Sequence, residues 1–250
     1  MSAPLSLFGR LGGANTSELH AVVVSAAAQG AGATTVAALF AIAAAGDARR
    51  TLLIGSEDDS ARRLALIGDD AEALGIRHAV LGDSDRRGSF RRLAPLMRDH
   101  DLVIIDAGSR LDTVAAATVS LEARHLVVAG NTDPGSLAAS YAMVKAIDER
   151  SRDLIIELLF NQQDPSRGAD ACRAVQSAAE RFLGLDLRYA GTIPVDEELR
   201  AAILAASPLP FAADRFRAGQ AGLQVASRVI AEVTTKSLAT HAARQHSWRD

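Results

Sequence analysis

The sequence is poor in cysteine and in lysine. Cys172 is the only cysteine, which excludes an internal disulfide and a zinc site built from several thiolates. Lys145 and Lys236 are the only lysines, so every other cationic side chain apart from the histidines is an arginine. The six histidines are dispersed without a His-x-x-x-His pair, and they predict no metal site.

Other absences concern location and nucleic acid. No apolar run is long enough to span a bilayer, and the N-terminus lacks the charged start and apolar stretch of a signal peptide, so we expect a cytoplasmic protein. The net charge of −3 provides no basic field for a specific nucleic-acid partner. The one basic cluster is interpreted as a solvated helix face, because acidic residues surround it and no aromatic residue is interleaved. It consists of Arg86, Arg87, Arg91 and Arg92, with Asp83, Asp85 and Asp99 around it.

The 250 residues, 48% of them hydrophobic, are sufficient for one large α/β domain. Short apolar runs alternate with helical segments, which predicts a doubly wound, mostly parallel sheet with helices on both faces. Strands are predicted over His20–Ser25, Thr51–Ile54, Leu102–Ile105, Leu126–Ala129, Leu154–Phe160 and Ala190–Ile193, and helices over Thr34–Ala45, Leu137–Arg150 and Ala169–Leu183. In such sheets ligands bind beyond the carboxyl ends of the strands.

The predicted domain covers residues 19–235, with a lead-in over 1–18 and a tail over 236–250. The lead-in has one apolar cluster, formed by Leu5, Leu7, Phe8 and Leu11, which fits an amphipathic contact segment or simply an irregular terminus. Residues Leu223–Val233 present one apolar face with almost no basic rim. We therefore expect a helix that docks on the core, and membrane contact is only weakly supported.

The loop after the first strand, Ser25–Thr35, has the composition of a phosphate-binding loop. Gly30 and Gly32 allow close approach of the backbone to an anion, and Thr34 and Thr35 open the following helix. Taken alone, the segment also fits an ordinary glycine-bearing turn between a strand and a helix.

This loop resembles the deviant Walker A motif of the MinD/ParA superfamily, Lys-Gly-Gly-x-Gly-Lys-Thr-Thr. In that alignment Ala28 stands at the signature lysine and Ala33 at the Walker lysine, while both threonines are retained. The resemblance implies ATP or ADP with Mg²⁺ as cofactor. The residues of the loop that would bind it are Gly30, Ala31, Gly32, Ala33, Thr34 and Thr35.

Residues at other strand ends extend the resemblance. Asp106 ends a strand similar to Walker B, which implies Mg²⁺ bound by Asp106 and Thr34; its alternative role is to cap the loop through backbone N–H groups. Where the family has Asp-x-Asp, this chain has Gly55-Ser56-Glu57, so Glu57 is either the carboxylate that positions the attacking water or part of an acidic turn. Asn161 stands at the adenine-binding asparagine of the family.

Segments in the second half resemble the FlhG branch, whose members regulate flagellar number. They are Asn131–Leu137, Tyr141–Lys145 and the stretch from Arg181 to Asp196. The Asp-Gln-Ala-x-x-Leu-Arg segment near the N-terminus of that branch is missing here.

The resemblance implies a regulatory or scaffolding factor for flagella or another polar machine, with weak or no ATP hydrolysis. Its implied partners are polar or flagellar assembly factors and a second copy of the chain. One alternative is a weak but genuine Mg-ATP-dependent ATPase switch with Glu57 and Asp106 as catalytic residues. Another is a ParA-like DNA-segregation factor, against which the near-neutral charge argues.

Overall fold

The structure, a computed structural model, describes residues 19–82, 86–121, 123–150, 154–205 and 207–246, with side chains to residue 235. The predicted lead-in, and Asp83 and Asp85 beside the arginine cluster, lie outside the described residues. Within them, seven strands form one sheet: β1 His20–Ala26, β2 Thr51–Ser56, β3 Ile76–Leu81, β4 Leu102–Gly108, β5 His125–Gly130, β6 Ile155–Asn161 and β7 Arg188–Ile193.

All of the pairings in this sheet are parallel, and the strand order is β3-β2-β4-β1-β5-β6-β7. The predicted α/β class, with a doubly wound sheet, is confirmed. The central strands are apolar on both faces, as a sheet covered by helices on both sides requires. Strands β2 to β4 lie on one side of β1 and strands β5 to β7 on the other. The loop after β1 therefore opens at the switch point of the sheet, where ligands bind in such folds.

Helices connect the strands and cover both faces. They are α1 Ala33–Gly46, α2 Ser60–Ile67, α3 Arg86–Arg98, α4 Leu111–Leu121, α5 Pro134–Asp148, α6 Pro165–Leu183, α7 Glu197–Leu204, α8 Leu209–Ala212 and α9 Arg217–His246, with a 3₁₀ turn over Ala213–Arg215. Helices α1 and α9 pack on one face of the sheet, and α3 to α6 pack on the other. Half of the residues of α1 are alanines, which lets this helix lie close to the strands that it covers.

The predicted docking helix over Leu223–Val233 is part of α9. Ala226, Val229, Ile230 and Val233 are buried in the core against α1, so this prediction is confirmed. The backbone stays helical to His246, so most of the segment expected as a tail is helix. No described helix has the length and apolar character needed to cross a bilayer.

Two elements next to the site were not predicted. Strand β3 lies at an edge of the sheet and carries an exposed arginine, Arg77, so it lacks the continuous apolar pattern of the central strands. Helix α2 is short, and its buried face consists of Arg63, Leu66 and Ile67. Asp112 lies inside the first turn of α4 and pairs with Arg110.

Candidate functional site

The loop between β1 and α1 has the backbone conformation of a glycine-dependent turn. Gly30 and Gly32 have φ values of 85° and 87°, in the left-handed region that side chains disfavour. Gly32 immediately precedes α1, and the N–H of Ala27 donates to the carbonyl of Ala129 on β5 at 2.8 Å. The loop is therefore held against the carboxyl end of the central strands.

Asn161, at the end of β6, is bonded to this loop. Its side-chain Nδ2 donates to the carbonyl of Ala31 at 3.1 Å, and the residue is buried. A β-carbon on Gly32 would overlap the same amide nitrogen. In this structure Asn161, the residue expected to contact adenine, is hydrogen-bonded to the backbone of the loop.

The first turn of α1 carries an alanine where the resemblance places the Walker lysine. Ala33 is buried and belongs to the core beneath the loop. Thr34 is also buried, and its hydroxyl is near enough to the carboxylate of Asp106 on β4 to act toward a lower pKa of that group. The two residues predicted to hold Mg²⁺ therefore lie near each other. Thr35 is only partly buried, and Gly30 is exposed.

Asp106 is almost fully buried and has several partners. Its Oδ1 accepts from the N–H of Gly108 at 3.1 Å, which is the loop-capping role considered for it from the sequence. Its Oδ2 lies 3.3 Å from Nη1 of Arg63. Burial raises the pKa of Asp106, because desolvation disfavours the ionised carboxylate, and the charge of Arg63 opposes this shift.

Arg63 reaches this carboxylate from α2 and is itself inaccessible to solvent. Its Nε donates to Nε2 of His78 at 3.0 Å, and its Nη2 donates to the carbonyl of Ser56. Burial lowers the pKa of Arg63, and the carboxylate of Asp106 opposes that shift. An arginine remains protonated under such conditions, so a full positive charge is buried beside Asp106.

His78 on β3 completes the surroundings of the guanidinium. Burial, together with the nearby charge of Arg63, lowers the pKa of His78 to about 4. The imidazole is therefore neutral at pH 7 and can accept the hydrogen bond from Nε of Arg63.

Gly55, on β2, makes room for the guanidinium. A β-carbon at this position would lie 2.6 Å from Cζ of Arg63, far inside van der Waals contact. The position where the family resemblance expects the first aspartate of Asp-x-Asp is therefore filled by an arginine side chain from the neighbouring helix.

Glu57 is exposed and lines a cleft of about 400 Å³ together with Ser60, Ser89 and Arg92. The carboxylate of Asp59 lies closer to the strand ends: it accepts from the hydroxyl of Ser56 at 3.3 Å. A β-carbon on Gly108 would be 4.0 Å from it.

Sequence reasoning missed Arg63, His78 and Asp59. One signal was available for Arg63: it lies three and four residues before Leu66 and Ile67, on the apolar face of a short helix. A charge at such a position needs a buried partner.

These residues do not fit a magnesium ion. The carboxylate that would bind it is paired at 3.3 Å with a buried arginine. Thr34 lies near Asp106, but the positive charge of Arg63 already neutralises the negative charge of Asp106.

Comparison with known proteins agrees with this architecture. No protein-family model matches the chain. The ParA family ATPase from Chlorobium tepidum superposes with a TM-score of 0.60 at 16% identity, covering 83% of this chain and 97% of that one. A chain of the MinC:MinD cell division protein complex of Aquifex aeolicus superposes with a TM-score of 0.64 at 14% identity, covering 85% of this chain and 96% of that one.

The chain has the MinD/ParA fold. Its sequence is in addition 24% identical over 151 residues to the antiactivator FleN of Pseudomonas aeruginosa, which covers 60% of this chain and 53% of FleN. The chain thus spans about half the length of this curated relative. The predicted resemblance to the MinD/ParA superfamily is confirmed as a likeness of fold, and the predicted resemblance to the FlhG/FleN branch as a sequence similarity to FleN.

Proposed function

We propose that the chain is a regulatory or scaffolding protein that keeps the MinD/ParA fold and acts by binding proteins, with weak or no ATP hydrolysis. The observation that carries the proposal is Ala33, whose methyl group is buried at the first position of α1. A methyl group cannot stabilise the charge that develops on phosphates during phosphoryl transfer. Lys145 is exposed in the last turn of α5.

The regulatory role is supported by the similarity to FleN, which is named an antiactivator. We infer a protein partner, drawn from polar or flagellar assembly factors, and a process that sets the number or position of flagella or of another polar machine. The MinC:MinD complex is an instance of this fold binding a protein partner. Self-association of the chain is part of the same proposal.

A second candidate function is a weak Mg-ATP-dependent switch. The nearness of the Thr34 hydroxyl to the Asp106 carboxylate favours it, because these are the two groups that would share the ion. Glu57 would then position the attacking water. This function requires Arg63 to leave Asp106 when nucleotide binds.

Phosphate release separates the two functions. We expect the purified protein to release no more phosphate from Mg-ATP than its Asp106→Asn variant. Turnover that disappears in Asp106→Asn would contradict the proposal and support the ATPase switch.

The regulatory role itself is tested by allele replacement in the organism that carries the gene. We expect a Thr34→Val allele to restore the phenotype lost on deletion, because the hydroxyl is needed for magnesium and not for protein binding. Failure of a stably folded Thr34→Val protein to restore it would show that the nucleotide site is in use.

A further inference from the structure

The residues around Arg63 bind its guanidinium and leave space for it. Three of its guanidinium nitrogens have partners from three different strands: His78 on β3, the Ser56 carbonyl on β2 and Asp106 on β4. The side chain is fully buried, and Gly55 leaves free the volume that the guanidinium fills. A buried arginine with this many partners has a fixed position.

The carboxylate that Arg63 contacts at 3.3 Å is the one that lies near Thr34. In the resemblance stated above, Thr34 and Asp106 are the pair that would hold magnesium. Both side chains of the Arg63–Asp106 pair are at most 1% exposed, so water screens their charges little. A divalent cation at the same carboxylate would be repelled by a unit positive charge already in contact with it.

We propose that Arg63 is the resident cation of this site, taking the place of Mg²⁺ at Asp106 and excluding divalent metal from it. This inference rests on the proposed function for one point, the assignment of Asp106 to the magnesium position of the fold. Whatever the loop binds, it binds without a divalent metal at Asp106. Gly55 is part of the same arrangement, since a side chain at this position would displace the guanidinium.

Mn²⁺ is the probe, because its electron paramagnetic resonance signal decreases when the ion is bound. The full chain, Asp106→Asn, Arg63→Met and the double variant are each titrated with Mn²⁺ without nucleotide. We expect the titrations of the wild type and Asp106→Asn to coincide. We expect Arg63→Met to bind Mn²⁺ about tenfold more tightly or better, because a charge about 4 Å from a cation repels it even in water. The added site should disappear in Arg63→Met/Asp106→Asn.

The matched control is Arg173→Met, which removes an exposed arginine paired with Asp170 and should leave Mn²⁺ binding unchanged. Stoichiometric Mn²⁺ binding by the wild type that is lost in Asp106→Asn would overturn the proposal. So would a folded Arg63→Met protein that gains no site. If Arg63→Met does not fold, the comparison of the wild type with Asp106→Asn decides alone.

The two proposals can fail separately. ATP turnover that persists in a metal chelator would refute the proposed function and leave Arg63 as the resident cation. Mn²⁺ bound at Asp106 in a protein without any turnover would refute the role of Arg63 and leave the regulatory function standing.

Discussion

The amide nitrogen of Asn161 occupies the space in which a β-carbon on residue 32 would lie, so Gly32 serves two purposes. It adopts a φ of 87° before α1, and it lets β6 support the loop through the bond from Asn161 to the Ala31 carbonyl. Gly30 shares the left-handed conformation, but no atom lies within 4 Å of its β-carbon position. Replacing Gly30 therefore adds backbone strain alone, whereas replacing Gly32 adds both backbone strain and steric overlap.

We predict that Gly30→Ala lowers the free energy of unfolding by about 1–2 kcal/mol, the cost of a left-handed alanine. Gly32→Ala should cost more than this by about 1 kcal/mol or more, because overlap with a packed side chain is added to the strain. Urea denaturation measures both values. In an Asn161→Gly background the excess should disappear. An excess that persists there would mean that Asn161 is not the group that Gly32 accommodates.

Gly55→Ala in β2 should strongly destabilise the protein, because the new methyl group collides with Arg63. We expect a loss of about 3 kcal/mol in the free energy of unfolding, the scale of breaking a buried ion pair. Gly46→Ala is the control, since its β-carbon position has no neighbour within 4 Å, and it should leave stability unchanged or slightly raised. The loss at residue 55 should shrink when Arg63 is also replaced by alanine; an undiminished loss would be inconsistent with this contact.

Arg63→Met should destabilise the protein in a pH-dependent way. It leaves the buried carboxylate of Asp106 unpaired, with an expected loss of about 3–5 kcal/mol at pH 8. Burial already raises the pKa of Asp106, so the carboxyl stabilises the fold most while protonated, and this stability is lost as the pH rises through the folded-state pKa. Without Arg63 that pKa rises further, and the loss should therefore be smaller at pH 5 than at pH 8.

The control for that pH dependence is Arg173→Met, which breaks an exposed ion pair and should cost about 0–1 kcal/mol at both pH values. Adding Asp106→Asn to Arg63→Met should reduce the pH dependence to the part due to His78, whose pKa the charge of Arg63 also lowers. Denaturant unfolding at pH 5 and pH 8 supplies the comparison. Equal losses at the two pH values would exclude an unpaired carboxylate as the cause.

Asp196 is predicted to support the fold at neutral pH and not in acid. Its carboxylate accepts from the N–H of Ala218 at 3.0 Å and from the N–H of Leu199 at 2.9 Å, which joins the start of α7 to α9. These bonds, that of Ala218 first, lower the pKa of Asp196. A lowered pKa gives stability that is present above the unfolded value of 3.8 and is lost as the pH falls through the folded value.

Asp196→Asn keeps an oxygen that can cap the helix and removes the charge, so it should cost about 0.3–1 kcal/mol at pH 7, the usual value of an anion at a helix N-terminus. The cost should shrink as the pH falls from 7 through the lowered folded-state pKa, where the wild-type carboxyl becomes neutral as well. Thermal unfolding of the two proteins across this range measures the difference. A difference that stays constant with pH would show that the charge of Asp196 does not matter.

The sequence was sufficient to predict the elements whose residues are apolar on both faces. The strand prediction over Leu102–Ile105 succeeded because a short, continuous apolar run has few other uses in a chain of this composition. Strand β3 was missed because an edge strand tolerates Arg77 at its surface, which removes the pattern. Helix α2 was missed because an arginine occupies its apolar face.

The site was predicted only in part, for a related reason. Positions after strands identified Thr34 and Asp106, and the structure brings these two together. The sequence showed that Gly55 replaces a carboxylate of the family motif. It did not show the reason, because the guanidinium that fills this space belongs to Arg63, eight residues further along the chain. The contact between Arg63 and Asp106 joins residues 43 positions apart, and no local pattern reports it.

Calorimetric titration with ATP, ADP and a nonhydrolysable ATP analogue, each with and without Mg²⁺, tests the central claim most directly. The claim is that a buried arginine and a buried alanine have replaced the cations of a nucleotide site. It predicts that Mg²⁺ produces no additional heat at roughly millimolar nucleotide, a concentration at which even weak binding would be seen. Micromolar binding that requires Mg²⁺ and is lost in Asp106→Asn would contradict it.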